Sequence, residues 1–163
     1  MKQIIAFDDA VDLLDMDHKI VKQMFTDYAA LCEHAAPPDR KRELSLRICQ
    51  ALAVHSQLEE EIFYPPVREA VGDDELMDEA LHEHAAAKQL IAMIEGMAAT
   101  ASGYDANVKQ LGTLIEQHVS EEREKIFLKA RYAAIDLRGM VLPLLKRQQQ
   151  LKKAVTATAK ESA

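Results

Sequence analysis

Two pairs of residues with metal-binding or acid–base chemistry occur at the same spacing in two separate segments. His55 stands four residues before Glu59, and His118 stands four residues before Glu122. Each pair lies in an otherwise apolar helical pattern, so both of its side chains share the face that packs into the core. Such a pair is either a hydrogen-bonded polar pair in the core or part of a metal site. The other histidines bear on that choice.

Apolar residues recur at spacings of three and four along four segments, as on one face of a packed helix. Each of these stripes carries one histidine: His18, His55, His84 and His118. Aspartates that can cap the four helices are Asp8 or Asp9, Asp39, Asp73 or Asp74, and Asp105. Breaks are predicted at Pro37-Pro38, at Pro65-Pro66 with Gly72, and at Ala101-Ser102-Gly103. Four helices joined by short loops predict an all-α, up-down-up-down antiparallel four-helix bundle over residues 1–135.

The C-terminal segment, residues 136–163, differs from the rest in charge. Residues 137–163 carry six basic and one acidic residue, whereas residues 1–136 carry 14 basic and 26 acidic residues. An apolar stripe from Val141 to Val155 predicts a fifth, amphipathic helix, and Pro143 leaves its start open. We expect this basic helix to lie over the acidic bundle or to form one half of a dimer contact; docking to a membrane surface or to a regulatory protein partner is a weaker alternative.

The chain also repeats itself. DHKIVKQMF at 17–25 matches EHAAAKQLI at 83–91, and HSQLEEEIFYPPVR at 55–68 matches HVSEEREKIFLKAR at 118–131. The offsets are 66 and 63 residues, so the first two helices and the last two helices are two versions of one hairpin. In the predicted bundle the second and fourth helices lie on a diagonal and run parallel. Their His-x-x-x-Glu pairs therefore face each other.

The arrangement predicts four imidazoles and two carboxylates in one layer of the core. Buried without partners, such groups cost roughly 1–3 kcal/mol each. Two divalent or trivalent ions would satisfy them, with two imidazoles on each ion and with both carboxylates able to bridge. Mixed imidazole and carboxylate ligation suits iron or manganese, with zinc as an alternative. We therefore predict a metal centre whose ligands are His18, His55, Glu59, His84, His118 and Glu122.

From about Phe7 to Arg131 the sequence resembles the hemerythrin-like HHE cation-binding domains. The resemblance rests on four elements in order: DH (17–18), HSQLEEEIFYP (55–65), EH…KQLI (83–91) and HVSEEREKIF (118–127). It implies a non-haem di-iron site, oxo- or hydroxo-bridged, held in a four-helix bundle by the same six residues. It also implies reversible chemistry with dioxygen or related small oxidants, or sensing of iron or oxygen.

The sequence departs from the pattern of the oxygen-carrying hemerythrins in two places. Those proteins have a histidine four residues after the third-helix histidine, where this chain has Lys88. They also close with His-x-x-x-x-Asp, whereas this chain has His118-x-x-x-Glu122. A fifth imidazole is absent from this pattern, which makes the two metals more alike and argues against dedicated oxygen transport.

Several polar residues near the predicted ligands are interpreted as non-ligands. His82 lies two residues from His84 and cannot share its face, so we expect it at the surface, and we expect His34 in solvent. Tyr64 is interpreted as a packing residue. Lys22 and Lys88 occupy matching places in the repeat and should extend outward; the alternative is that they tune the charge near the metals. A further group should form the wet faces of their helices, with some members orienting an imidazole: Glu60, Glu61, Glu121 and Glu124.

Composition and charge argue against several other classes of protein. The net charge of −7 argues against nucleic-acid binding, and no apolar run is long enough to span a bilayer. The N-terminal apolar stretch is too short for a secretory signal, and Cys32 and Cys49 form no disulfide framework, so we expect a cytoplasmic protein.

Three hypotheses of function follow from the residues and the resemblance. The leading one is a di-iron protein that binds or senses oxygen, peroxide, nitric oxide or iron. The second is a di-iron enzyme that decomposes peroxide or reduces a small oxidant. The third is a structural, zinc-binding interaction module. The sequence alone leaves open whether the chain is an enzyme.

Overall fold

The computed structural model describes residues 7–161, and side chains up to residue 156. Within this range the regular structure is helical throughout, and no strand is present. The helices are α1 (Ala10–Glu33), α2 (Pro38–Leu58), α3 (Tyr64–Val71), α4 (Asp74–Gly96), α5 (Tyr104–Glu121), α6 (Phe127–Tyr132) and α7 (Val141–Glu161). Two five-residue π-helical turns, Glu59–Phe63 and Glu122–Ile126, join α2 to α3 and α5 to α6.

Four long helical segments form the predicted four-helix bundle. They are α1, α2 continued by α3, α4, and α5 continued by α6. The closest packing is between α1 and α2 and between α4 and α5, and α1 also packs on α5 and α2 on α4. Thus α2 and α5 occupy one diagonal. The all-α bundle with a C-terminal amphipathic helix is confirmed.

The ends of the helices follow the predicted breaks except at Pro65-Pro66, and two predicted caps differ. Pro65 and Pro66 lie in the first turn of α3, where proline is tolerated, so the helical segment runs on to Val71 and ends at Gly72. Asp9 and Asp73 act as N-caps, since their side chains accept hydrogen bonds from the backbone N–H groups three residues ahead. Asp39 was expected to cap α2, but it lies in the first turn after Pro37 and Pro38. The N-cap of α5 is Gly103, whose φ of 89° places it in the left-handed region that glycine adopts readily.

Asp105 is therefore not a cap, and its carboxylate has a different role. It accepts a hydrogen bond of 2.7 Å from the Tyr28 hydroxyl and ion-pairs with Lys41 at 3.0 Å. These contacts connect α1, α2 and α5 at one end of the bundle. The nearby carboxylate and burial together raise the pKa of Tyr28 well above its ordinary value, with burial as the larger cause.

Two apolar clusters fill the core on either side of a polar layer. One is built from residues near the start of α1, the end of α2, α3, α6 and α7, including Leu14 and Phe63. The other surrounds Ile48 and Leu111, towards the loop that joins α4 and α5. On α1, α4 and α5 the stripe histidine falls between these clusters in sequence, and on α2 His55 lies next to Val54, where the first cluster begins. The polar layer is therefore enclosed by apolar packing above and below.

The C-terminal helix α7 packs against α1 and α2. Leu144 is fully buried and joins the first apolar cluster, as does Leu151. On its basic side, Arg147 ion-pairs with Glu61 at 2.8 Å. The helix thus lies over the acidic bundle, which is the first of the predicted arrangements. Among the described helices, none is long and apolar enough to cross a membrane.

Candidate metal centre

The structure brings all six predicted ligands together in the polar layer. His18 lies on α1, His55 on α2, His84 on α4 and His118 on α5, and all four are buried. Glu59 and Glu122 are buried as well, at 0% and 1% exposure. Their ligand atoms form two overlapping groups, and within each group these atoms lie within 4.8 Å of one another. One group contains His18 and His55, the other His84 and His118, and both contain the two glutamates.

Both glutamates stand at the first position of a π-helical turn. The N–H of Tyr64 donates to the carbonyl of Glu59, and the N–H of Phe127 donates to that of Glu122, five residues back in each case. Such wide turns occur frequently at functional sites. Pro65 follows the first turn but Leu128 follows the second, so proline does not explain the π geometry. What the two turns share is the buried glutamate.

In the first group, imidazole and carboxylate atoms point towards one centre. The Nε2 atoms of His18 and His55 are 3.0 Å apart. His18 Nε2 lies 3.1 Å from Glu122 Oε1, and His55 Nε2 lies 3.1 Å from Glu59 Oε1. Two imidazole nitrogens and one oxygen from each glutamate therefore meet here.

The second group repeats this geometry. The Nε2 atoms of His84 and His118 are 3.2 Å apart. His84 Nε2 lies 3.3 Å from Glu59 Oε1, and His118 Nε2 lies 3.4 Å from Glu122 Oε2. Each glutamate thus contacts one histidine of either group. A carboxylate in that position could supply an oxygen to a metal ion in either group.

The outer nitrogens of the imidazoles face a second set of carboxylates. His55 Nδ1 lies 2.9 Å from Asp17, and His118 Nδ1 lies 3.0 Å from Glu83. Both acids come from the neighbouring helix, at the residue just before its own histidine. With an Nδ1–H donated to the carboxylate, the Nε2 lone pair is directed to the centre, as in carboxylate–histidine–metal arrangements.

The other two histidines have outer carboxylates that differ from each other. His84 Nδ1 lies 3.2 Å from Glu60, which also binds Lys88 at 3.0 Å. His18 Nδ1 lies 3.6 Å from Asp15, beyond hydrogen-bonding distance. Of the four glutamates expected on the wet faces, Glu60 therefore orients an imidazole. Lys88 extends outward as expected, with its ammonium on Glu60.

Three buried carboxylate oxygens make no hydrogen bond within the described residues: Glu59 Oε1, Glu59 Oε2 and Glu122 Oε1. The two Oε1 atoms lie near imidazole nitrogens, but in orientations that do not form hydrogen bonds. Unmatched oxygens of this kind cost roughly 1–3 kcal/mol each. Convergent imidazole nitrogens and unmatched carboxylate oxygens are ligands that iron, manganese and zinc accept. The residues present therefore fit metal ions.

The electrostatics of the layer are those of a compact charge cluster. Burial alone would lower the pKa of His55, but the Glu59 and Asp17 carboxylates hold it well above its ordinary value. Burial opposes the shift at His118 too, where Glu122 and Glu83 raise the pKa to about 10. Without bound metal, the carboxylates therefore favour protons on these two imidazoles. A metal ion must displace them, so metal loading releases protons.

Tyr64 contributes more than the packing predicted for it. Its hydroxyl donates a hydrogen bond to Glu122 Oε2 and lies 3.3 Å from His84 Nε2, and its ring stacks on His84 at 5.4 Å. At the matching position of the repeat, Phe127 stacks on His18 at 5.7 Å. The sequence did contain a signal for this hydrogen bond: the repeat has a tyrosine one turn beyond the ligand in one copy and a phenylalanine in the other.

A small cavity of about 20 Å³ adjoins the four histidines. Its remaining walls are mostly apolar, with Val21, Leu52, Ala87 and Ile115 among them. This volume is enough for one water-sized molecule. As expected, His82 and His34 are exposed and stay outside the site.

Comparison with known proteins identifies the family. The hemerythrin HHE cation binding domain matches residues 9–130, and the chain belongs to this family. A crystal structure of a hemerythrin HHE cation binding domain-containing protein from Mycobacterium kansasii has the same fold, with a TM-score of 0.79. The two chains are 18% identical, and the match covers 93% of this chain and 92% of the other.

A curated relative of different description is also similar. A protein described as a DNA nickase from Nostoc sp. strain PCC 7120 is 28% identical over 120 residues. The match covers 74% of this chain but only 33% of that protein, so this chain corresponds to about a third of its length.

Proposed function

We propose that the six buried side chains bind two iron ions and that the resulting centre binds or senses a small oxidant. The observation that carries the proposal is the pair of overlapping ligand groups that share Glu59 and Glu122. Each group offers two imidazole nitrogens and an oxygen from both carboxylates. A mixed nitrogen and oxygen set of this kind suits iron, with manganese and zinc as the competing metals.

The ligand class follows from the cavity beside the histidines. The cavity admits one water-sized molecule, so its size and its apolar walls favour a very small ligand over larger polar ones. Iron ions bound there would supply an open coordination position and reversible electron transfer. The apolar clusters on either side of the layer limit the access of water.

The chain's own residues hold and tune this centre. Asp17 and Glu83 fix the ring orientation of His55 and His118 through Nδ1. The Tyr64 hydroxyl holds Glu122 in place by donating a hydrogen bond to it. Burial, with the Glu122 and Glu59 carboxylates nearby, raises the pKa of Tyr64 well above its ordinary value. Its proton therefore stays on the hydroxyl at neutral pH.

Metal analysis combined with an optical spectrum tests the proposal. The protein purified in air should contain about two irons per chain and show a visible charge-transfer band, since both ligand groups are complete. The band should fade on reduction and return with oxygen. Rapid gas evolution from added peroxide would instead assign the centre to an enzyme. A colourless protein loaded with zinc would contradict the proposal.

A further inference from the structure

A second recess runs along the line where α1 and α5 pack side by side, and it reaches His18 of the metal centre at one point of its lining. It is an open groove of about 910 Å³ between these two antiparallel helices. Its apolar lining includes Phe25, Val108 and Ile115. Gly112 allows the Phe25 ring to lie close to α5, because a Cβ at this position would be 3.1 Å from Phe25 Cδ1. The groove has the size and the mostly apolar character of organic-ligand sites.

Two basic side chains on opposite walls of the groove have no counter-ion. Lys22 lies on α1 and Lys109 on α5, and neither ammonium has an ion-pair partner among the described residues. Of the three acids that line the groove, Asp15 ion-pairs with Arg123 at 3.1 Å and Asp105 with Lys41 at 3.0 Å, so Glu116 is the one left without an ion pair among the described residues. This local excess of positive charge stands out in a chain whose net charge is −7.

The matching face of the repeat does not have this feature. On the side of α4 and α2, Lys88 takes the place of Lys22 and is paired with Glu60 at 3.0 Å. The repeat places Leu46 where the groove has Lys109, and Glu60 where it has Arg123. The positive charge is therefore specific to the groove between α1 and α5 and does not follow from the architecture of the bundle.

We propose that this groove binds an amphipathic organic monocarboxylate, with its apolar chain on the Phe25 side and its carboxylate between Lys22 and Lys109. A long apolar lining combined with two unpaired ammonium groups complements such a molecule in both shape and charge. Glu116 lies on the α5 wall two turns from Lys109 and carries the remaining unpaired negative charge. That charge favours a ligand with one negative charge over one with two.

Calorimetric titration of the full chain with decanoate tests the proposal. We expect saturable binding of one decanoate per chain, weaker binding of uncharged decanol, and none of acetate. The double variant Lys22→Gln/Lys109→Gln should bind decanoate about tenfold more weakly or worse, because two charge-assisted hydrogen bonds are lost. The control Lys146→Gln/Lys152→Gln removes the same charge from exposed positions on α7 and should bind as the parent does.

A second variant locates the site independently of charge. Ala29 is exposed on the groove wall, so Ala29→Trp should fill the groove without disturbing the core, leave the helical circular dichroism unchanged and abolish decanoate binding. Decanol binding as tight as decanoate, or full decanoate affinity in the double lysine variant or in Ala29→Trp, would overturn the proposal. The same titrations on protein stripped of metal by a chelator should give the same affinities, which separates binding in the groove from carboxylate ligation at the metal beside His18.

Discussion

The two hairpins of the bundle are nearly identical at the centre of the molecule. The His18 and His55 rings are 4.7 Å apart and the His84 and His118 rings 4.8 Å apart, each pair at 65°. In each pair, one histidine is oriented by a carboxylate on a neighbouring helix, and that acid stands just before the histidine of its own helix. The inner geometry is held in common because Glu59 and Glu122 belong to both ligand groups.

The two hairpins differ in the acids that lie beside the outer nitrogens of His84 and His18. In the second group, His84 is bound by Glu60, which is held by Lys88. In the first group the acid and the base have changed places. The acid, Asp15, lies on the long helix α1, and the base that ion-pairs with it, Arg123, lies on the π-helical turn. Outer residues need only supply a charge or a hydrogen bond, which several arrangements achieve. The contacts among the six inner residues are therefore constrained, whereas the contacts of the outer acids can vary.

The largest expected effect comes from removing a shared glutamate. Glu59→Ala and Glu122→Ala should each reduce the metal content far below that of the parent, because either change removes a ligand from both groups. Elemental analysis of the purified variants measures this. Glu124→Ala is the matched control, since Glu124 is exposed on the same π-turn as Glu122. If only one of the two glutamate variants lost metal, the two glutamates would not contribute equally to both ligand groups.

A smaller loss is expected at the carboxylates that orient the inner histidines. Asp17→Asn and Glu83→Gln should each weaken metal binding by about 10–100-fold, because the imidazole loses its charged Nδ1 partner. Competition with a chelator measures the affinity. Asp27→Asn, an exposed change on α1, serves as the control. Unequal losses at Asp17 and Glu83 would break the equivalence of the two inner halves.

The fold and the six convergent residues could be predicted because both depend on patterns within the sequence. A helical period locates each histidine on a core-facing stripe, and the repeat shows that the pattern occurs twice. The α7 helix was predicted from its apolar stripe in the same way. The caps were harder, since Asp39 and Asp105 are good cap residues whose positions the backbone did not use.

The π-turns and the orienting carboxylates could not be predicted in the same way. A His-x-x-x-Glu pair looks the same whether the backbone after it is α- or π-helical. Asp17 orients His55 rather than its neighbour His18, which depends on how α1 is rotated against α2. The acid before each histidine was visible in both copies of the repeat, but its partner on another helix was not.

Two single substitutions, Tyr64→Phe and Phe127→Tyr, each make the two copies of the repeat identical at this position. Tyr64→Phe should lower the free energy of unfolding of the metal-free chain by about 1.5–3 kcal/mol, because Glu122 loses a hydrogen bond in a buried position. Phe127→Tyr should be tolerated or stabilising, since Glu59 is the matching carboxylate and both of its oxygens lack hydrogen bonds. Denaturant unfolding measures both. Tyr132→Phe, at an exposed position, is the control.

The smallest expected effect concerns the outer acids of the other two histidines. Glu60→Gln should weaken metal binding by less than about tenfold, because Glu60 is partly exposed and its hydrogen bond to His84 is longer than those of Asp17 and Glu83. Asp15→Asn should change the affinity less still, since Asp15 lies 3.6 Å from His18 Nδ1 and its charge is shared with Arg123. Chelator competition on both variants resolves the order. A larger loss in Asp15→Asn than in Glu60→Gln would mean that metal binding draws Asp15 onto His18, which would make the outer layers of the two groups equivalent.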